Sequence, residues 1–203
     1  MENYICFNGT KIPLTNEQVK EMQKSLKGTT LKDIPVGETF KLGKYEFIVL
    51  EHSKDTTAVI MKNLLENSVK FGDNCDFKTS NVKNILGDFA DKMSGIIGAD
   101  NLIEHTVDLT SNDGLKDYGK TKEKMSLLTA DLYRRYVETL DKHKIDKWWW
   151  LATPYSTPKH GYSEYTLCVA PSGHFSNYYC SCNCSSGVRP FCILNSNIFV
   201  SCN

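Results

Sequence analysis

Apolar residues along this chain alternate in short runs more often than they recur at helical spacing. Tyr4-Ile5-Cys6-Phe7, the turn pair Asn8-Gly9 and Lys11-Ile12-Pro13-Leu14 predict a β-hairpin. Thr15-Asn16-Glu17-Gln18 fits a capping box, and Val19, Met22 and Leu26 follow at helical spacing up to Gly28. Residues 1–30 therefore read as a hairpin-helix appendage, set apart from a main domain over 31–203. Its helix could dock a partner or a neighbouring subunit, but a stabilising appendage is the plainer reading.

In the main domain, Thr39–Leu42, Tyr45–Leu50 and Thr57–Met61 predict three strands, the first two joined through Gly43-Lys44. Ser80 is placed to cap a helix whose Val82, Ile85, Leu86 and Phe89 form one apolar stripe. Residues 90–125 read as loop-rich, and Thr129 caps a second helix within Leu127–Tyr136. Arg134 and Arg135 on that helix fit a solvated face better than an anion site.

Trp148-Trp149-Trp150-Leu151 is the densest apolar run. On a strand, Trp148 and Trp150 face one side while Trp149 and Leu151 face the other, so both faces need cover and a central strand is expected. An exposed aromatic platform is the functional alternative. Tyr165–Val169, the turn Pro171-Ser172-Gly173, His174–Tyr179 and Arg189–Leu194 predict further short strands. The expected fold class is α+β, with short antiparallel strands, two main helices and long loops.

The chain has 203 residues, 24 basic and 24 acidic, with 40% hydrophobic residues. At about 150 residues per domain this is one domain with a small appendage, large enough to bury a core without disulfides or metal. Zero net charge argues against a surface wholly built to bind phosphate. No apolar run reaches about 18 residues, so no membrane span is expected. The start, MENYICFNGTKIPLTNEQ, lacks a basic region followed by an apolar stretch, so no secretory signal is expected and the predicted location is cytoplasmic or virion-associated. Charge is distributed unevenly: after Leu151 only Lys159, Glu164 and Arg189 are charged. Six of the eight cysteines lie from Cys168 to Cys202, in a tail rich in Ser, Asn, Tyr and Cys. Function is expected in that tail.

Cys180, Cys182 and Cys184 are spaced C-x-C-x-C, whereas tetrahedral zinc sites favour C-x₂₋₄-C pairs. Even with His174 as a fourth ligand, reduced thiols on one face of an extended segment are the simpler reading, and no metal or cofactor is expected. No spacing pairs His160 or His174 with a particular thiol as catalytic base. The loop Asp108–Gly114 invites calcium but misplaces its glycine and has Gly119 where an EF-hand needs Glu, so a self-capping polar turn is expected. In Gly187-Val188-Arg189-Pro190 the arginine reads as an internal staple that gathers carbonyls and orders loops.

Trp149-Trp150-Leu151 followed by Gly187-Val188-Arg189-Pro190 resembles an uncharacterised domain family of gut bacteria, their phages and prophages. Ile34-Pro35-Val36-Gly37, Val107–Ser111 and Ser126–Thr129 extend the resemblance over residues 31–200. That family is similar to the C-type-lectin-like fold of sulfatase-modifying-factor domains and of diversity-generating-retroelement variable proteins. The variable proteins end in Gly-aromatic-Arg-Pro, so Val188 departs from that subgroup. The resemblance implies a scaffold that displays a ligand-binding surface. Residues 176–186, Ser-Asn-Tyr-Tyr-Cys-Ser-Cys-Asn-Cys-Ser-Ser, use only residue types reachable from the codon AAC by changing its adenines. Adenine-directed change of AAC codons is the route to variable sites that the resemblance implies; fortuitous composition of a polar strand and turn is the plainer alternative. Tyr, Ser and Asn suit a paratope: rigid amphipathic area and adaptable hydrogen bonding.

No H-E-x-x-H, G-x-S-x-G or phosphate-binding glycine loop occurs, and the tail offers Glu164 as its one carboxylate side chain. The leading expectation is a non-catalytic module of phage or prophage origin that binds a protein or glycan. Its expected contact residues are Tyr155, Tyr162, Tyr165, Ser176, Asn177, Tyr178, Tyr179, Ser181, Asn183 and Ser185. Trp148, Trp150, Gly187, Arg189 and Pro190 are assigned structural roles, and a homo-oligomer is allowed. The alternatives are a cysteine- or metal-dependent enzyme on a sulfatase-modifying-factor-like scaffold, or an intracellular host-directed regulator.

Overall fold

The computed structural model describes residues 4–7, 10–18, 29–182 and 186–202. β1 (Tyr4–Phe7) and β2 (Thr10–Pro13) pair antiparallel as a hairpin. Thr15 and Gln18 cap each other reciprocally, Gln18 N donating to Thr15 Oγ1 at 3.1 Å and Thr15 N to Gln18 Oε1 at 2.9 Å. The predicted turn at Asn8-Gly9 and the stripe Val19, Met22 and Leu26 lie outside the described residues.

β3 (Thr29–Thr30), β4 (Thr39–Leu42), β5 (Tyr45–His52) and β6 (Thr56–Met61) open the main body. α1 (Asn81–Ile97) follows, then β7 (Leu102–Ile103), β8 (His105–Asp108), β9 (Lys120–Glu123) and β10 (Met125–Ser126). After these come α2 (Ala130–Arg135), α3 (Val137–Lys142), β11 (Trp148–Pro154), β12 (Tyr165–Val169), β13 (Phe175–Tyr179), β14 (Ser186–Gly187), β15 (Phe191–Asn195) and β16 (Phe199–Cys202). The fold is α+β and mostly antiparallel. An eight-stranded sheet runs β10-β15-β6-β5-β4-β16-β3 with β7 also on β15, and a four-stranded sheet runs β13-β12-β11-β14.

β5 buries four successive residues, Phe47 to Leu50, because the large sheet carries a core on each face. Phe47 and Val49 join Leu86, Phe89 and Met93 of α1 and Trp150. Ile48 and Leu50 join Tyr133, Leu140, Trp149 and Leu167 on the other side. Each fully buried Leu, Ile or Phe contributes about 1.5–3 kcal/mol of burial free energy. The tryptophan run behaves as its alternation predicts. β11 sits between β12 and β14, with Trp150 in one core and Trp149 and Leu151 in the other.

Two sequence expectations need correction. Residues 90–125 are more regular than predicted: α1 extends the stripe through Ala90 and Met93 to Ile97, where Gly98 (φ 86°) ends it, and β8–β9 form a hairpin. Strands of two to four residues carry too little alternation to be seen in sequence. Second, Cys180 and Cys182 do not line one face of an extended segment. The chain turns after Tyr179, with Cys182 N donating to Tyr179 O at 3.2 Å, so Cys180 is buried and Cys182 half-buried. Both predicted helix caps are in place: Ser80 Oγ accepts from Lys83 N (3.0 Å) and Thr129 Oγ1 from Leu132 N (3.2 Å).

Candidate functional site: a tyrosine cluster on the small sheet

β12 and β13 pair in strict register from Tyr165↔Tyr179 to Val169↔Phe175. Period-two alternation then sends Leu167 and Val169 into the core and leaves Tyr165 and Tyr179 together at the end of that same face. Their ring centroids are 4.2 Å apart. The neighbouring Tyr179 hydroxyl holds the Tyr165 pKa up to about 12.

Two more rings complete the cluster. β11 ends at Pro154 after a register shift against β12, and Tyr155 N donates to Tyr165 O at 3.0 Å. A single 3₁₀ turn over Pro158–His160, closed by Gly161 in the left-handed region (φ 77°), returns the chain so that Tyr162 meets Tyr155. Tyr162 lies 6.0 Å from Tyr155 and 6.2 Å from Tyr165, centroid to centroid. The first of these is edge-to-face and the second tilted, and aromatic pairs of this kind contribute about 0.5–1.5 kcal/mol each beyond burial. Tyr162 and Tyr179 nevertheless leave 51% and 50% of their surface in solvent, and Tyr178 leaves 46%.

A polar frame holds this loop from behind. Asp113, in the 108–114 turn, accepts from the Ser111 and Ser156 hydroxyls and from His160 Nδ1, the last two at 2.6 and 2.9 Å. The two hydroxyls, with His160 adding to them, hold its carboxyl well below the usual carboxylate range. The turn itself is self-capped, Thr110 N donating to Asp108 Oδ1 (3.0 Å) and Leu115 N to Ser111 Oγ (3.0 Å). His174 bonds Ser172 at 2.6 Å.

The expected contact residues divide four ways. Tyr155, Tyr162, Tyr165 and Tyr179 converge; Tyr178 and Ser181 are exposed but outside the cluster, since Tyr178 pairs across from Thr166 on the opposite face. Ser176 and Asn177 are half-buried along β13. Asn183 and Ser185 lie outside the described residues.

The residues given structural roles meet beneath this surface. β14 pairs parallel to β11, Trp148↔Ser186 and Trp149↔Gly187, which brings the two sequence motifs together. A Cβ on Gly187 would lie 2.5 Å from the Glu66 carbonyl oxygen and 2.5 Å from Leu64 Cδ1, so no side chain fits there. Arg189 is buried and donates to the carbonyls of Met61 (2.9 Å), Lys62 (3.1 Å) and His143 (3.2 Å), with its guanidinium 5.2 Å from the Trp149 ring centroid. Pro190 is buried and its carbonyl accepts from Met61 N at 2.9 Å. Trp150 Nε1 donates to Val69 O at 2.8 Å, and Trp148 meets His174 edge-on at 5.8 Å.

Sequence reasoning missed the juxtaposition of Cys75 and Cys180, whose buried thiols shift each other's pKa in opposite directions. It also missed the Asp113–His160 pair. Neither pair is close in sequence, and no motif spacing joins them. Among the described residues no group of three or more His, Cys, Asp or Glu is placed to hold a metal ion. Chemically, the surface offers aromatic faces and edges with phenolic hydroxyls, the repertoire of recognition. No helix among the described residues is long and apolar enough to cross a membrane. No protein-family model, curated protein or solved structure matches this chain.

Proposed function

We propose that this chain is a non-catalytic, C-type-lectin-like binding module of phage or prophage origin that recognises a protein or glycan through its tyrosine surface. The observation that carries the reading is the convergence of Tyr155, Tyr162, Tyr165 and Tyr179 at the open end of the small sheet, with Tyr162 and Tyr179 half in solvent. Exposed aromatic rings gathered into one patch mark interaction surfaces where scattered ones do not, and tyrosine gives contact area with few rotamers to immobilise. Support for the scaffold comes from the resemblance over residues 31–200 and from the meeting of the Trp149-Trp150-Leu151 and Gly187-Val188-Arg189-Pro190 motifs through the β11–β14 pair.

The residues beside the cluster, Ser176 to Cys182, belong to the Ser/Asn/Tyr/Cys alphabet, and their diversification by a retroelement is part of the proposal. A near-copy of the 176–186 coding stretch beside a reverse transcriptase gene supports it; a gene lacking AAC-derived codons there rejects it.

The binding test screens the protein against immobilised glycans and a displayed-peptide library. It then repeats each hit with Tyr162→Ala/Tyr179→Ala. Loss of the signal with the melting temperature kept within about 2 °C is the expected result. Unchanged binding by the double variant refutes the assignment of the surface, and a large fall in melting temperature marks the rings as core.

A further inference from the structure

Cys75 lies in the connection from β6 to α1, and Cys180 follows the last residue of β13. The fold hangs both on one dipeptide: Cys75 N donates to Ser163 O at 2.9 Å and Cys180 N to Glu164 O at 2.8 Å. Gly72 N closes the arrangement by donating to Cys180 O at 3.2 Å. Both side chains are fully buried, at 0% exposure, in the same core. Their surroundings are not equivalent. The Cys75 sulfur lies 3.3 Å from the Tyr118 hydroxyl and donates to the Ser156 carbonyl at 3.6 Å, and the Cys180 thiol stands beside it.

We propose that Cys75 and Cys180 are a redox pair that closes into a disulfide on exposure to hydrogen peroxide, tying the open end of β13 to the β6–α1 connection. Cys75 is the attacking sulfur. The Cys180 thiol and the Tyr118 hydroxyl beside it lower its pKa against the opposing effects of burial and of the Asp76 charge. Cys180, set against Cys75 and desolvated as well, is pushed up and stays a thiol. Burial alone normally makes a cysteine inert, and Cys192, fully buried and raised by desolvation alone, is the control within the same molecule.

The chemistry balances. The Cys75 thiolate attacks one peroxide oxygen and the O–O bond breaks, giving the sulfenic acid and hydroxide, which takes up the proton released when Cys75 ionised. The Cys180 sulfur then attacks the Cys75 sulfur; the S–S bond forms, the S–O bond breaks, and the oxygen leaves as water with the Cys180 proton. Two electrons pass from the two sulfurs to one peroxide, which ends as two waters. The inference does not depend on what the tyrosine surface binds, because its readout is the bond itself.

The folded full-length protein is treated with hydrogen peroxide, unfolded in an alkylating agent, digested without reduction and mapped by mass spectrometry. The expected major product is the Cys75–Cys180 linked peptide, with Cys192 alkylated and the melting temperature of the oxidised protein raised by about 5 °C, reversed by dithiothreitol. In Cys180→Ser a Cys75 sulfenic acid accumulates and is trapped by dimedone. Linked peptides joining Cys182 to Cys180 or Cys184, or a Cys75 recovered fully alkylated, overturn the proposal. This map of the wild-type chain decides the matter even where a serine variant fails to fold.

Discussion

Replacing Arg189 by methionine keeps an unbranched apolar side chain but removes a guanidinium that lies over the Trp149 ring and holds three chain segments together. The acceptors are the Met61 and Lys62 carbonyls at the end of β6 and the His143 carbonyl just past α3. Each hydrogen bond from a charged donor contributes about 1.5–3 kcal/mol, and a buried carbonyl left without a donor costs about 1–3 kcal/mol. Burial works against the arginine, drawing its pKa from 12.5 to about 10, a penalty of about 3 kcal/mol that the methionine variant escapes. The bonds outweigh that refund, and the expected net loss is about 4 kcal/mol. For a chain of this size, with a urea m-value of about 2–3 kcal/mol/M, the unfolding midpoint falls by about 1.5–2 M. Arg189→Lys recovers only part of this, since a single ammonium cannot fork to three carbonyls. A methionine variant whose midpoint stays within about 0.3 M of wild type refutes the staple, and full recovery by lysine refutes the role of the fork.

Gly187→Ala puts a methyl 2.5 Å from the Glu66 carbonyl oxygen, so the β14 backbone must shift; a loss of about 1–3 kcal/mol in urea unfolding is expected, and an unchanged midpoint contradicts that close approach. Asp113→Asn tests the frame behind the tyrosine loop. The Asp113 carboxyl is lower in the folded chain than in the unfolded one, so its contribution is fully present above the ordinary carboxylate pKa of 3.8 and is lost as pH falls below it. The stability gap between wild type and the variant should therefore be present at about pH 5 and narrow steadily below about pH 4; a gap that widens in acid reverses the sign and the argument.

Local signals in the sequence specified local structure. Ser80 and Thr129 sit where a cap oxygen must accept from a backbone N–H, and both do. The alternation of Trp148 to Leu151 demanded two buried faces, and β11 has them. What sequence could not carry was anything set by pairing between distant segments. The parallel β14 is two residues long, and its place beside β11 follows from Gly187 fitting against Glu66 and Leu64 rather than from any period. Likewise Asp113, read as part of a self-capped turn, also braces Ser156 and His160 on a loop that comes much later in the chain. The chemistry of the tyrosines is legible in the sequence, but their convergence depends on the Tyr165↔Tyr179 register and on the turn closed by Gly161.

The nearly uncharged tail that sequence marks as one display region is two things in the fold. Tyr178, Tyr179 and Ser181 face solvent, while Cys180 between them is fully buried and Ser186 and Gly187 are built into the sheet. A residue drawn from Ser, Asn, Tyr and Cys is therefore not free at every position of 176–186. At Cys180 the tyrosine member of that alphabet would overpack a filled core, a change that costs about 1–3 kcal/mol, and the serine and asparagine members would bury polar groups beside Cys75. Cysteine is the one member small and apolar enough for that place. The thiol that Cys75 meets is thus the residue that anchors the exposed strand, and any variation in what the surface presents has to leave that anchor alone.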